Sequence, residues 1–201
     1  MPLPPSARRE PQHGRVIECR GYRREDGLWD IEGHLTDRKT TAIAVPQGRP
    51  VPAGEPIHEM WIRLTVDEDL LVHDVCAVTD HSPYPACPAA AAALAGLRGL
   101  RIAAGWTAEV RRRFGGRAGC THLTELLGPV ATTAYQTLST VRMARPEELD
   151  AEGRPRRIDS CFAYAADGDL VRQRWPGHHA GPPPERPAAA GPSPSGTLPR
   201  G

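Results

Sequence analysis

The sequence predicts an α+β fold: an antiparallel sheet of about four to five strands carrying two to three helices on one face. Three observations lead there. Four stretches with strand character come first, at 15–22, 28–37, 57–66 and 70–79. Helical periodicity follows, in 88–97, 106–114 and from Thr121 onward. Strands and helices are therefore segregated along the chain, which means helices packed on one face of an antiparallel sheet rather than alternating crossovers.

The first two strands are joined by Arg24-Glu25-Asp26-Gly27, whose Asp-Gly end suits a hairpin turn. In the second strand Trp29, Ile31 and Leu35 share a face, and the Pro- and Gly-rich stretch 38–54 reads as a loop. The third strand is the clearest. Met60, Ile62, Leu64 and Val66 alternate with Glu59, Trp61, Arg63 and Thr65, and His58 falls in register with the apolar set, so it points inward. Asp67-Glu68-Asp69 makes a turn into 70–79, a strand apolar on both faces, as a central strand is.

Pro88 suits the first position of a helix reaching Leu97, with high propensity from Ala89 to Ala93. A second helix over 106–114 closes at Gly115-Gly116. The third carries the stripe Leu123, Leu126, Leu127, Val130, Ala134 and Leu138, with Gly128-Pro129 expected to kink or interrupt it. Residues 158–174 read as a final element, a strand pair around Asp167-Gly168. Proline-rich composition marks 1–12 and 177–201 as disordered ends around a single domain over 13–176.

A formal net charge of +1 supplies no field toward nucleic acid or an acidic membrane, so neither is expected; the partner is left open, and a protein partner is compatible with the composition. Lys39 is the only lysine, and the arginine excess reads as base-composition bias before it reads as an anion-binding surface. No apolar run approaches the ~20 residues of a membrane span. Five cysteines, an odd number, and the lack of a charged-then-apolar leader point to a reducing cytoplasmic setting with free or metal-bound thiols.

The chemistry concentrates in Cys87, Gly119-Cys120-Thr121-His122 and His58. Both thiols stand at predicted helix starts, where the dipole and free N–H groups favour thiolate. Two such thiols and an inward imidazole at one end of a sheet suit a metal site. His122 joins only under a condition: residues two apart on a helix diverge by ~200°, so Cys120 must lie just outside the first turn. Packing accounts for Cys19 and Cys76 within strands. Asp26, Asp30 and Asp37 read as turn and strand-end residues, and Arg111–Arg113 as a solvated helix face. No phosphate-cradling loop or nucleophile elbow is present.

Two resemblances rest on these residues. The stretches CRGYRREDGLWDIEGHLTDRK (19–39), GEPIHEMWIRLTVD (54–67), GCTHLTELLGP (119–129) and YAADGDLVRQRWP (164–176) resemble a bacterial family of uncharacterised proteins listed as a domain of unknown function. The middle of the chain, 58–94 and 119–138, resembles iron–sulfur scaffold proteins of the IscU/NifU type. That resemblance implies Cys87 as the middle scaffold cysteine, Cys120 as the last, and His58 near the scaffold's aspartate. The chain departs from the scaffold in three ways. Pro56-Ile57 stand where its first cysteine would be. Gly119 replaces its histidine. His122 follows Cys120 by two residues. Three functions remain open: a protein binding zinc or an iron–sulfur cluster through Cys87, Cys120, His58 and His122; a thiol enzyme; and a non-catalytic interaction module with structural cysteines.

Overall fold

The computed structural model describes residues 6–181; residues 1–5 and 182–201, on which most of the expected end disorder falls, lie outside the described residues. The chain clusters into two compact units, Met1–Ala144 and Arg145–Gly201, with the boundary inside the 13–176 span taken as one domain from composition.

The first unit is a four-stranded antiparallel sheet with helices, the α+β arrangement that the segregated sequence pattern predicts. The strands are β1 (His13–Arg23), β2 (Trp29–Lys39), β3 (Pro56–Val66) and β4 (Val72–His81), in the spatial order β1-β2-β3-β4. Each strand neighbours the next in sequence, so β4 is an edge strand and not the central strand that its two apolar faces suggest; the segment at Gly99 and Leu100 packs on it instead. The β1–β2 turn has Gly27 at φ 84°, the left-handed region that glycine enters without a Cβ penalty. β2 and β3 shift register between Asp37 and Arg38, a bulge that ends regular pairing at one end of the sheet.

α2 (Thr121–Thr137) covers the inner face of β1, β2 and β3, and α1 (Trp106–Phe114) packs against α2. α2 buries Leu123, Leu126, Leu127, Val130, Ala131 and Ala134, a stripe at helical spacing. Ile31, Leu35, Met60, Ile62, Leu64 and Val66 meet this stripe in one apolar cluster. Gly33 is required beneath α2, since a Cβ there would lie 2.5 Å from a Val130 methyl. α2 runs through Pro129 without interruption, contrary to the expected break. One i−4 bond is lost at Pro129. Leu126, Leu127 and Val130, on either side of Pro129, are all buried in the same cluster, which holds the helix on the sheet through the proline.

Three local expectations change. The alanine-rich segment Cys87–Leu97 is a 3-10 helix rather than an α-helix. Its two buried anchors, Leu94 and Leu97, are three residues apart, a spacing that stacks on one side of a three-residue turn. A short α3 (Ser139–Met143) follows α2. In the second unit, the strand pair expected over 158–174 is instead a 3-10 turn at Phe162–Tyr164 and α4 (Asp169–Arg174). Gly168 opens α4 in an extended conformation, Asp169 sits in its first turn, and Arg172 and Arg174 end it. Those charges complement the helix dipole, and local helical preference wins over the apparent alternation.

Leu64 is fully buried on β3. Leu64→Ala is expected to lower unfolding free energy by ~2–5 kcal/mol, read from denaturant titration. A loss under ~0.5 kcal/mol would show a solvated face.

Candidate metal centre

The bulged end of the sheet gathers polar groups. Arg15 on β1 lies opposite Asp37 on β2, and Asp37 lies opposite His58 on β3, so three adjacent strands present one row of side chains. Asp37 has the strand parity of Trp29, Ile31 and Leu35, which turns its carboxylate onto the inner face; the residue is 1% exposed. A buried carboxylate needs partners, and it has several. Arg15 Nε donates to Oδ1 at 2.7 Å and Nη2 donates to Oδ2 at 2.8 Å, a bidentate pair. His58 Nδ1 is 3.1 Å from Oδ2 and His13 Nε2 is 3.2 Å from Oδ1. The third Arg15 nitrogen, Nη1, donates to Glu125 on α2 at 2.6 Å, which ties the helix to the strand row.

The start of α2 completes the group. Cys120 is the N-cap residue in an extended conformation (φ −100°, ψ 128°), and the helix begins at Thr121. That satisfies the condition the sequence set for Cys120 and His122 to converge: the Cys120 Sγ lies 3.8 Å from His122 Nδ1. His122 Nε2 is 3.9 Å from Asp37 Oδ2, and its ring lies over His58 with centroids 3.7 Å apart. One ligand atom from each of Asp37, His58 and His122 lies within 4.8 Å of the others, the one such group of His, Cys, Asp or Glu among the described residues.

The electrostatics follow from these contacts. Burial alone would raise the Asp37 carboxyl, but the Arg15 hydrogen bonds and charge, aided by His58, hold it below the usual carboxylate range. Arg15 is correspondingly raised, chiefly by its hydrogen bond to Asp37. Burial, reinforced by the charge of His122, lowers His58 below its ordinary 6.5 despite the pull of Asp37. Its imidazole is therefore neutral at pH 7. Because ionised Asp37 only accepts, the His58 hydrogen is assigned to Nδ1, and Nε2 keeps a lone pair. Burial would raise the Cys120 thiol; the hydrogen bond to His122 and the backbone N–H groups of Leu123 and His122 outweigh it and lower the thiol overall.

Of the four residues named from sequence, the structure brings His58, His122 and Cys120 to one place. Cys87 opens the 3-10 helix against β4 and has no contact with that group among the described interactions. Asp37, expected to be a turn or strand-end residue, is instead buried at the centre of the group, held by Arg15 and His58, while Arg15 and His13 carry no sequence signal of their own. For Asp37 a signal existed: it lies two residues beyond Leu35 on the buried parity of its strand, where a carboxylate is out of place unless paired.

The fold and site define an α+β protein with a carboxylate and two imidazoles converging beneath a helix N-terminus. Residues 13–136 match the family described as protein of unknown function DUF2889, and the chain belongs to that family. The match contains every residue of the site and ends within α2. No curated protein and no solved structure matches the chain. No helix among the described residues is long and apolar enough to cross a membrane.

The folded Asp37 pKa lies below its unfolded value of 3.8. Its contribution to stability is therefore complete above that value and lost as pH falls through the folded one. Arg15→Met should cost ~1–3 kcal/mol at neutral pH in chelator-treated protein. It should also flatten the acid side of the stability profile, measured by urea titration from pH 7 downward. An unchanged profile would mean Arg15 does not set the carboxylate.

Proposed function

We propose that this protein binds a single divalent transition-metal ion through Asp37, His58 and His122. The observation carrying this reading is the convergence of their ligand atoms within 4.8 Å. The donor set fits the group. Imidazole and carboxylate together suit zinc, iron and manganese. An ionised carboxylate has about four lone-pair sites; Arg15 takes one on each oxygen and His13 and His58 approach the other two, so an ion held by Asp37 would displace the His58 contact on Oδ2. Arg15 would fix the carboxylate from behind while Asp37 faces the imidazoles, the role that outer partners play at metal centres. His58, neutral at pH 7, needs no proton removed before binding. Three protein ligands leave a position for water or substrate, and a bound ion would supply a Lewis acid there.

A mononuclear ion fits better than an iron–sulfur cluster. Clusters are held mainly by cysteine thiolates, and the group contains the single thiol of Cys120. That thiol adds a soft donor beside His122, which favours zinc over magnesium or calcium.

The test is metal analysis of protein purified without oxygen, followed by zinc titration against a chromophoric chelator. Wild type is expected to take up one ion per chain. His58→Ala, His122→Ala and Asp37→Asn should each lose at least about tenfold in affinity, the loss seen even for outer-shell changes. Cys87→Ser should bind as wild type. Retained affinity in the His58 and His122 variants overturns the reading.

A second reading has an observation of its own. Cys120, His122 and Asp37 lie in line, with 3.8 Å from sulfur to Nδ1 and 3.9 Å from Nε2 to carboxylate, the order of a thiol, its base and the group that orients the base. A thiol enzyme would purify without metal. Under this reading Cys120 is alkylated faster than Cys19, and His122→Gln slows it by about tenfold or more, followed by peptide mass spectrometry. Slow alkylation of Cys120 in metal-free protein rejects it.

A further inference from the structure

We propose that β1 is the interface for a second copy of this chain, pairing antiparallel with the partner's β1 about a two-fold axis at Cys19. β1 is an edge of the sheet, 11 residues long. Edge strands of that length are ordinarily blunted by proline, a bulge, a covering segment or charged side chains; the outward charges of β1, Glu18 and Arg20, are of opposite sign and can pair across a two-fold axis. β1 contains no proline, and its pairing with β2 runs from His13 to Arg23 without a register shift. The opposite edge is treated differently. At β4, Val72 exchanges backbone hydrogen bonds with Gly99 and Leu100, so the loop after the 3-10 helix closes one end of it.

The side chains of β1 divide by parity. Arg15 and Cys19 face inward, bonded to Asp37 and packed on the core respectively. Val16, Glu18, Arg20 and Tyr22 face outward, with Val16 61% and Tyr22 43% exposed. A two-fold axis normal to the sheet keeps outward residues opposite outward residues, so only registers centred on a residue are allowed. Centring on Glu18 sets Glu18 against itself, and centring on Arg20 does the same for Arg20. Centring on Ile17 pairs Val16 with Glu18. Centring on Cys19 sets Glu18 against the partner's Arg20, Arg20 against the partner's Glu18, and Val16 and Tyr22 against each other in both directions; on the inner face Arg15 falls opposite the partner's Arg23, its charge already compensated by Asp37 and Glu125. Opposite charges and aromatic–β-branched pairs are the cross-strand neighbours that stabilise an antiparallel ladder. Glu18 and Arg20 already bond within one strand at 2.5 Å, so this register joins four alternating charges in one row.

The inner side has room as well. A groove of about 670 Å³ lies beside this edge, lined by Ile17, Cys19, Gly128, Pro129, Thr132 and Thr133. In this register the partner's Gly21 and Cys19, opposite Ile17 and Cys19, would lie along it. Isologous pairing of this kind forms a closed dimer, leaving β4 as the outer edge of an eight-stranded sheet.

The experiment is sedimentation and light scattering of the full chain with charge reversals at the interface, with circular dichroism to confirm folding. Wild type is expected at twice the 21.8 kDa chain mass. Glu18→Arg sets arginines against arginines, and Arg20→Glu sets glutamates against glutamates. Each should weaken the dimer by about tenfold or more. The double variant Glu18→Arg/Arg20→Glu regenerates both pairs and should restore wild-type association. A wild-type monomer at about 100 μM, single variants that associate as wild type, or a double variant no better than the singles would each overturn the proposal. None of these readings depends on metal.

Discussion

The buried carboxylate of Asp37 is the constraint on which this end of the molecule depends. An ionised carboxylate that is 1% exposed is tolerated only with charge-assisted partners. Arg15 supplies two hydrogen bonds and the compensating charge, and His58 and His13 approach the remaining lone pairs. Arg15 and His13 come from β1 and His58 from β3, and Arg15 in turn reaches α2 through Glu125. The carboxylate therefore fixes the relative positions of three strands and a helix, and it orients the two imidazoles as a by-product.

The apolar core has a separate role. Ile31, Leu35, Met60, Ile62 and Leu64 meet the α2 stripe and set the height of the helix above the sheet. With Gly33 admitting Val130 closely, the N-terminus of α2 arrives above the bulged strand ends. Cys120 then caps the helix in an extended conformation and His122 reaches back to it. Packing delivers the helix start with Cys120 and His122, and hydrogen bonding to Asp37 sets Arg15 and His58 beneath it. The lowered thiol of Cys120 and the lowered imidazole of His58 are consequences of that gathering, not of either residue alone.

Much of the fold was legible in the sequence because period is a local property. The alternation at 60–66 and the stripe from Leu123 to Leu138 each determine a buried face, and the segregated order of strands and helices determines the layer arrangement. The inward turn of His58 followed from the same parity. The errors were also local. Cys87–Leu97 is a 3-10 helix because its anchors are three apart, and 158–174 turned helical because a Gly-Asp start and an arginine-rich end suit a short helix.

The sequence by itself determined the α+β class, the two apolar faces and the inward histidine, since each depends on neighbours a few residues away. Tertiary structure alone decided the composition of the site. Asp37 stands 21 residues from His58 and 22 from Arg15, while Glu125 is 110 residues from Arg15. No local pattern encodes those pairings. They exist because antiparallel register sets Asp37 between Arg15 and His58, and because helix packing carries His122 over them. Cys87 and Cys120 look alike in sequence, each poised at a helix start. Only the path of the chain places the second beside the carboxylate and the first against β4.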